Sequence, residues 1–393
     1  MLSTVMKRLE EIYSELVEFR RDLHMYPELS FHEVNTPLKI AQFLTNLGLE
    51  VRTQVGGRGV VATLKGGKPG KTVALRADFD ALPIQDEKDV PYKSKVPGVM
   101  HACGHDIHTA GLLGVAKVLS EVREEWPGNV VFIHQFAEEL APGGAMPMIE
   151  DGCLEGVDVI YGVHVWSTMP YGTISVKDGY TMAAADEFEV EIQGKGGHGA
   201  TPHLTVDSLV VGSQLVLNLQ QIVSRKVDPL KPAVVTVGSF HSGEAFNVIP
   251  NTASLKGTVR TFDEDVRELI EKEIEALTKA TCEGAGAGYS YRYSRGYPAL
   301  WNHPEETDRV ERLAKDLLGA AQVNRMAPIM GGEDFAYYLQ KVPGTFFFVG
   351  GGNPEIGASY PHHHPKFNVD ERSMLITGKL FLAAILDYQE NSK

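Results

Sequence analysis

The stretch Gly128-Asn129-Val130-Val131-Phe132-Ile133-His134-Gln135-Phe136 runs directly into Ala137 and the adjacent carboxylates Glu138 and Glu139. A short apolar run behind Trp126-Pro127 reads as a largely buried strand. Upstream, helical periodicity covers residues 109 to about 125. Downstream come a short helix (144–151) and a second apolar strand (157–163) that ends on His164. Earlier strands are expected over 51–54, 59–65 and 72–77, the last leading into Asp78-Phe79-Asp80. Strands alternating with helices predict an α/β layer structure, which gathers ligands at strand ends.

Between these elements lies His101-Ala102-Cys103-Gly104-His105-Asp106-Ile107-His108. Thiolate and imidazole are good ligands for borderline-soft divalent metals such as Zn²⁺, and carboxylates complete such shells. Cys-x-His alone is a weak pattern. Taken singly, any of these residues is as readily a core histidine or an inert buried thiol. Taken with Glu138-Glu139, with His164 and with His362-His363-His364-Pro365, they describe an open catalytic metal site better than a closed structural one.

Working outward, residues 5–25 form an amphipathic helix with Leu9, Ile12, Leu16, Val17 and Phe19 on its apolar stripe. A second helix covers about 35–47 and ends at Gly48. From about Asp186 the rhythm changes. Strand 188–194, helix 206–225, strands 233–241 and 253–262, helix 266–282 and strand 289–294 follow one another. This is the β-α-β-β-α-β order of a split-βαβ, ferredoxin-like layer: one antiparallel sheet with two helices. After Pro304, a helix (305–318), a strand (345–349) and a final helix (371–388) return to the α/β layer. The expected organisation is a discontinuous α/β metal-binding domain, 1–185 with 298–393, and an inserted domain, 186–297.

The chain has 393 residues, 43% of them hydrophobic, which suits two folded domains and excludes global disorder. A formal charge of -14 argues against nucleic acid as a main partner. Residues 1–21 carry charges throughout and lack the apolar core of a secretory signal, and no run approaches a membrane span. Cys103, Cys153 and Cys282 are too few for a disulfide scaffold, which points to a reducing, cytoplasmic location.

Several segments together resemble one family. They are Arg20-Arg21-Asp22-Leu23-His24 with Pro27-Glu28-Leu29-Ser30-Phe31, Leu75-Arg76-Ala77-Asp78-Phe79-Asp80-Ala81-Leu82-Pro83, and the run from His101 to His108. Ala137-Glu138-Glu139, Gly162-Val163-His164, Gly196-Gly197-His198-Gly199-Ala200, Phe246-Asn247-Val248-Ile249-Pro250 and Gly331-Gly332-Glu333-Asp334-Phe335 follow in the same order. The chain resembles the M20 metallopeptidases, in particular the amidohydrolase branch of N-acyl-amino-acid, hippurate and auxin-conjugate hydrolases. The resemblance implies an exopeptidase-like catalytic domain with an inserted lid and dimerisation domain. It also implies two divalent metals per subunit, Zn²⁺ or one of Mn²⁺, Co²⁺ and Ni²⁺, and a homodimer formed through the inserted domain. Cys103 is implied to bridge the two metals, where the peptidase branches use an Asp. His105, Glu139, His164 and His363 are the implied remaining ligands, His363 because the family's ligand sits two residues before the proline. Glu138 is the implied general base, and Asp80 is implied to support a ligand from behind. The family's first metal-ligating His is replaced here by Asp78, its place as ligand taken by His105. His198 is implied to stabilise the oxyanion in a partner's site, with Asn247 and Arg260 contacting the substrate's carbonyl and free carboxylate.

The chemistry fits those residue types. Amide hydrolysis at neutral pH needs an activated water and a place for the developing oxyanion, both of which two metals supply. Adjacent residues at a strand end point in different directions, so Glu139 can bind metal while Glu138 faces the water. A guanidinium matches a planar carboxylate, although Arg260 could instead balance Asp263 or Glu264 on its own surface. The expected function is hydrolysis of N-acyl amino acids; the alternative on the same scaffold is a di- or carboxypeptidase. A thiol hydrolase built on Cys103, or a non-catalytic binding protein, are the readings from other classes.

Overall fold

The computed structural model describes residues 1–391, and the chain divides into two compact units. The first comprises Met1–Thr181, Trp301–Ala327 and the chain from Asp334 onward; the second comprises Met182–Leu300 and Pro328–Glu333. Residues 328–333, expected in the α/β layer, therefore group with the second unit.

In the first unit an eight-stranded mixed sheet runs in the order Glu50–Val55, Gly59–Lys65, Pro127–Gln135, Lys68–Asp78, Val159–Pro170, Gly344–Gly352, Ile174–Val176, Val323–Arg325. Its four central strands, from Pro127–Gln135 to Gly344–Gly352, are mutually parallel. They are apolar on both faces: Val130, Phe132, Val73, Leu75, Ile160, Phe346 and Phe348 are all fully buried. That explains why they read as continuous runs and not as alternations. Helix His105–Glu121 is buried nearly all round, and it packs between helices Tyr13–Met25 and Ser373–Asn391. It begins where it does because Gly104 takes φ +96°, and a Cβ there would sit 2.4 Å from Val165 Cγ1.

Of the boundaries that differ from the sequence expectation, two show a tertiary cause. The helix expected over 5–25 is two helices, Leu2–Glu11 and Tyr13–Met25, interrupted at Ile12. Leu9, Ile12 and Leu16 stay buried across the break, so the apolar stripe continues where the helix does not. The strand expected to end at His164 runs on to Pro170. Its parallel partner continues through Gly350↔Trp166 and Gly352↔Pro170, which extends the ladder. His164 thus lies inside a strand.

The second unit carries a four-stranded antiparallel sheet in the order Ala233–His241, Thr252–Thr261, Ala184–Gln193, Gly288–Arg295. Helices Ser208–Gln221 and Glu264–Gly284 supply Leu215, Leu219, Ile270 and Ile274 to a core with Phe188, Val190, Ile192 and Leu255. Asp207 starts the first of these helices by accepting hydrogen bonds from the amides of Leu209 and Val210. A separate two-stranded ladder pairs Gly197–His198 with Val248–Ile249. Among the described residues no helix is long and apolar enough to cross a membrane.

Candidate metal centre

The carboxyl ends of the parallel strands in the first unit collect the ligand-type residues. Cys103, His105 and Glu139 each offer one ligand atom within 4.8 Å of the others, and Cys103, His164 and His362 do the same. His105 donates Nδ1–H toward Asp80 Oδ1 and the Asp80 carbonyl, both at 3.0 Å. In the neutral ring, the form a metal binds, that leaves a lone pair on Nε2. That atom is buried without a hydrogen-bond partner, 3.8 Å from Glu139 Oε1 and 3.9 Å from Glu138 Oε2. Glu139 Oε1 is likewise buried and makes no hydrogen bond. Two buried electron-rich atoms facing one point beside a thiol repel each other and lack hydrogen-bond donors, which is costly without a cation, and a divalent ion would satisfy both. The electrostatics agree. Burial opposes a positive charge on His105, but Asp78 and then Asp80 outweigh it and push the imidazolium up to about 10. The same carboxylates would favour a bound cation.

His164 donates Nδ1–H to the Val165 carbonyl at 2.7 Å, which leaves its Nε2 bare and 3.3 Å from Cys103 Sγ. Ala137, at φ +50°, turns the chain between the strand and the two glutamates. This left-handed residue is held by Glu33 Oε1, which accepts its amide at 2.9 Å. Asp80 does a second task with its other oxygen, accepting from Ser30 Oγ at 2.7 Å and from the Glu139 amide at 3.0 Å. One carboxylate thus orients His105 and fixes the backbone of Glu139.

Beneath the cluster lies a buried polar chain that sequence reasoning did not assign. Arg76 donates to Gln135, Asp78 and Asp334 at 2.9, 2.6 and 3.0 Å. Asp78 Oδ1 accepts from His108 Nδ1 at 2.6 Å, and His108 Nε2 accepts the Val165 amide at 2.8 Å. Both nitrogens of His108 are spent, so it is not available as a ligand despite its place beside His105. Removing one partner of such a buried charge pair costs about 3–5 kcal/mol. The matched segment around Arg76 and Asp78 was the signal for this network.

The triple histidine divides. His363, at φ +63°, places Nε2 3.3 Å from Glu139 Oε1. His362 places Nδ1 3.6 Å from Cys103 Sγ. His364 turns away, stacked on Tyr360 with ring centroids 4.5 Å apart. The remaining expected residues lie in the second unit. His198 is exposed, and its Nδ1 accepts the Ala200 amide at 3.0 Å, which leaves Nε2–H to donate. Asn247 is its neighbour across the small ladder, where its carbonyl accepts the Gly199 amide at 2.8 Å. Arg260, on Thr252–Thr261, is half-buried and has no ion pair among the described residues. Asp263 is bound by Lys231 at 2.8 Å, and Glu264 by Arg295 at 2.7 Å and Arg267 at 3.4 Å. The surface role weighed for Arg260 is therefore taken by other cations.

The model of Peptidase family M20/M25/M40 matches residues 74–387. YhaA of Bacillus subtilis (strain 168), whose name assigns it provisionally to the amidohydrolases, is 57% identical over 98% of this chain and 97% of its own length. The N-acyl-L-amino acid amidohydrolase of Geobacillus stearothermophilus is 47% identical over 77% of this chain and 82% of its own. Among solved structures, the Bacillus subtilis YXEP protein, described as a dinuclear metal binding peptidase from the M20 family, superposes with a TM-score of 0.82. It is 35% identical and covers 97% of this chain and 99% of its own.

Proposed function

The chain belongs to peptidase family M20/M25/M40, and from that premise we propose that it hydrolyses the amide bond of N-acyl amino acids, releasing the amino acid and a carboxylate. The observation that carries this reading is the convergence of buried His105 Nε2 and Glu139 Oε1 beside Cys103, with Glu138 Oε2 3.9 Å from the same imidazole nitrogen. Cys103, His105, Glu139, His164 and His363 would hold two divalent ions, Cys103 bridging; their mixed N, O and S donors suit Zn²⁺, Mn²⁺, Co²⁺ or Ni²⁺. Such ions supply a water of pKa about 7 and polarise the amide carbonyl. Glu138 takes the proton of the attacking water and returns it to the leaving nitrogen. Asp80 keeps His105 in the tautomer that presents Nε2. A metal-independent thiol mechanism is disfavoured by the environment of Cys103. Burial first, then the Glu139 and Glu138 carboxylates, push its thiol well above the ordinary value, and a nucleophilic cysteine needs the opposite. Three free, buried cysteines support a cytoplasmic location.

Arg260 is the proposed anchor for the substrate's free carboxylate, with Asn247 on its carbonyl. Burial lowers the pKa of the Arg260 guanidinium and outweighs the opposing pull of Asp186 and Glu187, and a substrate carboxylate would add a direct partner. The test compares N-acetyl and N-benzoyl amino acids, their methyl esters and dipeptides, on the wild type and on Arg260→Ala. The expected result is preference for the N-acyl free acids, with KM for them raised about 10- to 100-fold in the variant. Dipeptides cleaved faster than acyl amino acids would favour the di- or carboxypeptidase alternative. Esters turned over as well as free acids would remove Arg260 from recognition.

The same reading includes a homodimer in which His198 of one copy donates Nε2–H to the oxyanion in the other's site. Val210 and Leu217, seven residues apart on one face of helix Ser208–Gln221, are 57% and 70% exposed. An apolar stripe of this kind supports burial against a second copy. Mixing His198→Ala with Glu138→Gln under subunit exchange should restore a fraction of native activity, because one site of each heterodimer regains both residues. No recovery despite demonstrated exchange would eliminate action in trans.

A further inference from the structure

His362 approaches the same sulfur as His164, and its distance alone would admit it as a metal ligand. Its other nitrogen decides otherwise. Nε2 lies 3.2 Å from the Ser167 amide, which can only donate. Nε2 must therefore accept, and the ring hydrogen of a neutral imidazole is left on Nδ1. That Nδ1–H faces Cys103, with Sγ at 3.6 Å and the Cys103 carbonyl also within reach. The ring is clamped in this orientation by Trp166, with centroids 4.6 Å apart, and by Phe367, at 5.0 Å. His164 differs in the respect that matters: its hydrogen goes to a carbonyl, so its bare nitrogen faces the sulfur. Two histidines thus meet one thiol with opposite faces, one as a lone pair and one as a hydrogen-bond donor.

We propose that His362 is a positioning residue that donates Nδ1–H to the Cys103 thiolate and does not ligate metal. This rests on the proposed role of Cys103 as the bridging ligand. A donor aimed at the sulfur withdraws electron density from it, stabilises the thiolate and leaves more positive charge on both ions. It also gives the first histidine of the triple a task distinct from that of His363.

The test uses cobalt-substituted enzyme, in which a sulfur ligand gives a thiolate-to-cobalt charge-transfer band. His362→Phe keeps the stacking on Trp166 and removes the donor. It should still hold two cobalt ions per chain, with affinity weakened about 10- to 100-fold. Its charge-transfer band should move to longer wavelength, because an electron-richer sulfur gives up charge more easily. His362→Gln, which offers an amide N–H, should keep the band near its wild-type position. If His362→Phe does not fold, as judged by circular dichroism, His362→Leu serves in its place. Loss of one cobalt equivalent would overturn the proposal by making His362 a ligand. A band that does not move on removing the donor would overturn it by making the contact inconsequential. A wild-type protein without the charge-transfer band would remove the premise that Cys103 binds metal, and that arm separates the two failures.

Discussion

Glu138→Gln is expected to retain both metal ions and lose about 10²-fold or more in kcat. Glutamine keeps the size and hydrogen-bonding reach of the side chain but cannot take up a proton. Positioned general bases contribute about 10²–10⁴-fold. Even the lower figure corresponds to about 2.7 kcal/mol of transition-state stabilisation, at 1.36 kcal/mol per tenfold. Because Glu139 and His105 are untouched, the loss should fall on kcat more than on KM, as for an interaction made only in the transition state. Glu138 is buried, 6% exposed, and shares the neighbourhood of His105 Nε2 with Glu139. Glutamine preserves the side chain's volume in this buried position, so the variant should stay close to the wild type in stability. Metal analysis and steady-state kinetics on the same preparation decide it. Near-native turnover at full metal occupancy would remove Glu138 as the base.

How much of the molecule is legible in its sequence follows from the range of the interactions involved. The parallel core was legible because strands buried on both faces become uninterrupted apolar runs, as in Val130–Ile133. Ligand-type residues were legible because cysteine, histidine and carboxylate in close sequence are few and chemically specific. Less visible was anything decided by a partner distant in sequence. The extension of the strand through His164 depends on register with Gly344–Gly352. The spent nitrogens of His108 depend on Asp78 and the Val165 amide, and the left-handed turn at Ala137 depends on Glu33. The triple histidine shows the limit most clearly. Three identical side chains in a row have three different environments, and the difference between His362 and His363 lies in the Ser167 amide, 195 residues away. Tautomer and orientation are tertiary properties, so spacing to a proline could select a residue but not explain its neighbours.

Cys103→Ser is expected to weaken both metal ions together. A bridging atom serves two ions, so its replacement cannot be confined to one of them. A serine hydroxyl remains protonated at neutral pH and is a much poorer ligand for borderline-soft metals than thiolate. The loss should exceed the about 10- to 100-fold that removal of a supporting partner costs, because here a direct ligand goes. The substitution is nearly isosteric in a buried position, so folding itself should survive it. Cys103→Asp supplies the complementary arm. The resemblance to the amidohydrolase branch implies an aspartate at the corresponding position of the family's peptidase branches, and a carboxylate can contact two ions through its two oxygens. Cys103→Asp should therefore hold two ions where Cys103→Ser holds neither, though with the charge-transfer band of a cobalt form abolished along with the sulfur. Gel filtration followed by metal analysis reads all three proteins. Two ions tightly retained by Cys103→Ser would end the bridging assignment. A single retained ion would make Cys103 a ligand to one metal only, with His164 and the Glu139 side then belonging to separate sites.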